Sequence, residues 1–125
     1  MGYARTETIA VTTAADGSAT VYSAETYRGP IVSLAYVKDD FDNGSTFTIT
    51  GEATGVGVWT ETGVNASASR SPHLAVHDQV GGAALYAAAG EAVLGMPVHL
   101  VNERLKIVIA SGGNAKSGSF VLTVG

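Results

Sequence analysis

Alternation with a period of two is the feature that most narrows what this chain can fold into. In residues 46–50 (TFTIT) a threonine takes every other position, with Phe47 and Ile49 between them. That is the pattern of a strand with one wet face and one dry face. Residues 103–110 (ERLKIVIA) and 119–124 (SFVLTV) are two further strong strands. The polar loop 111–118 (SGGNAKSG) between them predicts a hairpin.

The same punctuation runs through the rest of the chain. Residues 6–13 and 18–23 flank the turn residues Asp16-Gly17 and read as a first hairpin or strand pair. Residues 31–38 (IVSLAYVK) follow Pro30, which marks a strand's first position or an edge because it has no N–H to donate. Ile31, Ala35 and Val37 on one face and Val32, Leu34 and Tyr36 on the other predict burial on both sides. Asn43-Gly44 suits a tight turn. Residues 56–61 (VGVWTE) continue as a strand, 65–71 as an irregular strand or loop, and 93–100, which contains Pro97, as a short edge strand. The one candidate helix is 83–89 (AALYAAA), rich in alanine but lacking an N-cap. Seven or eight strands separated by glycine-rich turns predict an all-β, single-domain β-sandwich over 1–125, jelly-roll-like, with at most one short helix. Residues 1–13 are an N-terminal arm or an edge strand.

Composition bounds the function. Hydrophobic residues make up 46% and charged residues only 14% of the chain, where a free monomer carries about 25% charge. Such a chain suits a subunit packed against neighbours. The net charge of −4 and seven scattered basic residues predict no nucleic-acid partner. No apolar run reaches the roughly 18–20 residues needed to span a bilayer, and residues 1–17 have no apolar core of a signal peptide. Gly2 and Thr6 match the short myristoylation pattern, a common coincidence. Cysteine is absent, which excludes disulfides and thiolate metal sites.

Each place where chemistry could sit has a plainer reading. His73 and His77 have the spacing of two ligands on one helix face, with Asp78 beside them and His99 distant. Pro72, Leu74 and Val76 suggest extended structure instead, and hence surface or interface histidines. Asp39, Asp40, Asp42 and Asn43 invite a calcium loop, but placing Gly44 sixth puts Phe41 third, and the register fails. Glu52 and Glu61 are one arbitrary carboxylate pair among several. Gly55 and Gly57 lack the third glycine of a dinucleotide loop, and Gly112-Gly113 does not precede a helix. Tyr22, Tyr27, Tyr36, Trp59 and Tyr86 are stacking candidates for a sugar, with Trp59 better read as core. No residue is therefore nominated as catalytic, cofactor-binding or metal-ligating, and the chain is expected not to be an enzyme.

The segments VKDDFDNGSTFTITGEATGVGVWTE, NASASRSP, ALYAAAGEAV and NERLKIVIASGGNAKSGSFVLTVG resemble small structural proteins of tailed bacteriophages, over roughly residues 21–125. The resemblance implies a virion component made in the bacterial cytoplasm. It implies most directly a capsid cement or decoration protein that binds the major capsid protein at the head surface, as a homo-oligomer with a trimer favoured. A head–tail connector or neck ring is the alternative within virions, and a carbohydrate-binding module the alternative outside them. In this reading the 6–13 arm pairs with a neighbour's sheet edge, and 63–82, which carries Arg70, contacts the shell.

Overall fold

A computed structural model describes residues 5–75 and 94–125. Eleven strands order this region: β1 (Arg5–Thr12), β2 (Ala19–Tyr22), β3 (Tyr27–Val37), β4 (Ser45–Gly51), β5 (Gly57–Val64), β6 (Ala68–Arg70), β7 (His73–Ala75), β8 (Leu94–Pro97), β9 (His99–Glu103), β10 (Leu105–Ala110) and β11 (Ser117–Val124). One sheet runs β1-β11-β3-β6, with β9 pairing the start of β3; the second runs β2-β10-β4-β5; β7 and β8 form a separate ribbon. All pairings are antiparallel. No helix forms among the described residues, and the candidate helix 83–89 lies outside them.

The winding is that of a jelly roll. β1 pairs β11, β2 pairs β10, β3 pairs β6 and β4 pairs β5, so successive strands nest as pairs and then split between two sheets. The expected β-sandwich is present, but two expected hairpins are not. β1 and β2 fall in different sheets, and so do β10 and β11. The connection between β10 and β11 arches across the sandwich, with Ser111, Gly113 and Ala115 all at positive φ. It reverses the chain between layers rather than within one.

Packing follows the pleat. Phe47 and Ile49 of β4, Leu105, Ile107 and Ile109 of β10, and Phe120 and Leu122 of β11 are fully buried. At one end the aromatics interlock, with Tyr36, Phe47 and Phe120 mutually 4.9–5.3 Å apart and Trp59 edge-on to Phe47 at 4.7 Å. Trp59 is core, as read.

β3 corrects the expectation of a strand buried on both faces. It begins at Tyr27, so Pro30 lies within it. Its register against β11 slips between Ile31 and Ser33, and Val32 becomes the extra residue of a bulge. That single insertion resets the alternation. Ile31, Leu34 and Tyr36 all face inward, while Val32 and Val37 stay exposed. A second bulge, where Thr50 pairs Gly57 and Ile49 pairs Trp59, buries the consecutive residues Val58 and Trp59.

Candidate assembly surface

Inward side chains on β1, β11, β3 and β6 leave the alternate set on the outer face of the larger sheet. One row crosses all four strands as Thr8, Val121, Ala35 and Ser69; the rows beside it are Ala10, Ser119 and Val37, and Thr6 and Thr123. Thr12 and Ser117 close the far end, their hydroxyls 3.3 Å apart, as are those of Thr6 and Thr123. None of these side chains ionises. The outer face of the smaller sheet is also threonine-rich (Thr20, Thr48, Thr60) but carries Lys106.

The charges sit at the rims. Where β1 meets the connection after β2, Arg5 pairs with Glu25 at 2.8 Å and lies over the Tyr27 ring. Beside them Glu7 accepts from the Tyr27 hydroxyl at 2.6 Å and from the Ala24 N–H at 2.7 Å. Burial, and then the neighbouring Glu7 carboxylate, push the Tyr27 phenol well above its ordinary pKa. At the opposite rim Arg70 pairs with Glu61 at 2.9 Å, and Glu61 also accepts from Trp59 Nε1 at 2.8 Å. Arg104 pairs with Glu52, lowering that carboxyl's pKa, and stacks over Tyr22.

Glu103 was not singled out by sequence reasoning, and it is the one buried carboxylate among the described residues, 3% exposed. The Ala53, Thr54 and Val101 N–H groups and the Thr54 hydroxyl all donate to it, at 3.0–3.2 Å. Burial alone would raise its pKa, but these donors outweigh burial and hold it below the ordinary value. Its role is to fasten the β4–β5 turn to the end of β9. Glu103 closes β9, and the sequence around it carries little sign of this role, because the Ala53 and Thr54 donors lie about fifty residues upstream.

The sequence candidates do not assemble into a reaction centre among the described residues. Glu52 and Glu61 each engage a different arginine. His73 lies on β7, and His99 is exposed with Nδ1 3.1 Å from the Pro97 carbonyl; His77, Asp78 and Tyr86 lie outside the described residues. Asp39, Asp40 and Asp42 flank Phe41, which is driven into the core, and Asn43-Gly44 makes the turn into β4. No group of three or more His, Asp or Glu side chains is placed to hold a metal, and no cavity opens, among the described residues. Of the aromatics, Tyr27, Tyr36 and Trp59 are buried, leaving Tyr22 beneath Arg104. Arg70, expected in a shell contact, is engaged by Glu61 and Trp59.

The free side of β1 is the other notable surface. The Thr13 N–H donates to the Lys116 carbonyl, continuing the β1–β11 register. Alternation along an antiparallel ladder then points the N–H and C=O of Thr6, Thr8, Ala10 and Thr12 away from β11. No backbone or side-chain partner reaches these groups among the described residues. The expected arm is thus an edge strand, with Ile9 and Val11 buried in its own sandwich. No protein-family model, curated protein or solved structure matches this chain.

Proposed function

We propose that this chain is a structural component of a tailed-bacteriophage virion, a decoration protein that binds the major capsid protein at the head surface and stabilises the shell, with no chemistry of its own. The observation that carries this reading is that the rows of outward side chains running across β1, β11 and β3, one of them reaching β6, contain no ionisable group. Covering such a face costs no desolvation of charge, and its Thr and Ser hydroxyls can pair with a partner's polar groups. The jelly-roll winding supports the same reading, since viral capsid domains use it, although a fold by itself assigns no role. A modest contact of this kind strengthens a shell through repetition over many equivalent sites.

The test is cosedimentation of the purified protein with phage heads that lack it, together with mass spectrometry of intact virions. The wild-type protein is expected in virions and bound to heads. Val121→Lys, which sets a charge at the centre of the face, is expected to weaken binding roughly tenfold or more. Absence from virions, or Val121→Lys binding as the wild type does, overturns the proposal.

A further inference from the structure

We infer that two copies of this chain pair through β1, antiparallel about a two-fold axis at Ile9, joining their larger sheets edge to edge. Sheet edges in native proteins are guarded by shortness, bulges, proline or inward charges. β2 and β6 span four and three residues. β5 is irregular at two places and carries the inward Glu61–Arg70 pair. β9 contains Asn102 at φ 63°. Among the described residues β1 is the least protected edge: eight residues, an unbroken register, no proline and no lysine, with its two inward charges, Arg5 and Glu7, confined to its first three residues and engaged by Glu25 and Tyr27.

An unguarded edge whose best counterpart is itself makes an isologous, two-fold contact. Residues opposite each other in an antiparallel pair must project to the same face. An axis at Ile9 meets that condition, placing Thr6 opposite Thr12 and Thr8 opposite Ala10 of the second copy. These four residues hold the open N–H and C=O groups, so each exchanges hydrogen bonds with its counterpart. Glu7 falls opposite Val11 and Arg5 opposite Thr13, and no like charges meet. The symmetry differs from the trimer expected from the sequence, and the two are separable by mass.

Sedimentation equilibrium decides it. The wild type is expected at twice the 12.7 kDa chain mass. Ala10→Pro removes an N–H that faces the open edge, so the β1–β11 ladder survives; a folded monomer is expected. Two double variants test the register. Thr8→Lys with Ala10→Lys sets like charges opposite each other across the axis and should weaken dimerisation roughly tenfold, whereas Thr8→Lys with Ala10→Glu should retain it. If Ala10→Pro fails to fold, this pair of variants decides. A monomeric or trimeric wild type, or equal dimerisation by the two double variants, overturns the inference. Shell binding does not enter these measurements, so this inference and the virion role can fail separately.

Discussion

The Glu103 carboxylate rests against the bare Cα of Gly51, occupying the space in which a side chain at Gly51 would have to sit. A methyl group there would come closer to the carboxylate than any normal contact allows. Gly51→Ala is therefore expected to destabilise the fold by ~1–3 kcal/mol, the range for overpacking, and a lower urea midpoint at unchanged slope would show it.

Glu103 also predicts an acid limb. Its folded pKa lies below the ordinary glutamate value because backbone N–H groups outweigh burial. A group with a depressed folded pKa contributes in full above its unfolded value, near ~4.3, and loses that contribution as pH falls through the lower folded value. Stability measured from pH 7 downward should fall below that point. Glu103→Gln should lose ~2 kcal/mol at neutral pH, the worth of charge-assisted hydrogen bonds, and show a shallower acid limb.

Tyr36 offers a gain. Its hydroxyl is buried with no hydrogen-bond partner among the described residues, and burial raises its pKa. Tyr36→Phe keeps the ring contacts with Phe47 and Phe120 and removes the unpaired group. Stability should rise by ~1 kcal/mol, read as a higher Tm.

Phe41 anchors the turn between β3 and β4. Its ring lies on Gly118 of β11, where an added Cβ would collide with it, and parallel to Tyr36 with centroids 6.1 Å apart. Phe41→Ala should cost ~3–5 kcal/mol. Gly118→Ala should be destabilising as well, and less so when combined with Phe41→Ala; chemical denaturation of the double-mutant cycle tests this coupling.

Much of this architecture was legible because alternation reports which side chains face inward. Thr46, Phe47, Thr48 and Ile49 behave as read, and Trp59 is core. Alternation does not say which strand is the neighbour, so residues 103–124 looked like a hairpin and proved to be an arch between sheets. Nor does it foresee a bulge, and the insertion at Val32 reversed half of β3. The surface was legible only in part. A low charge fraction signalled faces that tolerate cover, but the clean face exists because β1 and β11, more than a hundred residues apart, align their small residues in register. Phe41 was hidden for a related reason: among three aspartates it reads as part of a solvated turn, and the room for its ring comes from Gly118, far along the chain.

The two C-terminal strands each occupy an inner position of their sheet, β10 between β2 and β4, and β11 between β1 and β3. During synthesis, β1, β2, β3 and β4 therefore emerge from the ribosome before the strand that joins them exists, while β3–β6, β4–β5 and β7–β8 can pair earlier. The nascent polypeptide has to wait with β1 unjoined to β3 and β2 unjoined to β4, and closure comes only once β10 and β11 have emerged. Folding of this kind is slow for its size and exposed to aggregation while it waits, so a chain interrupted before β10 would forfeit both layers at once.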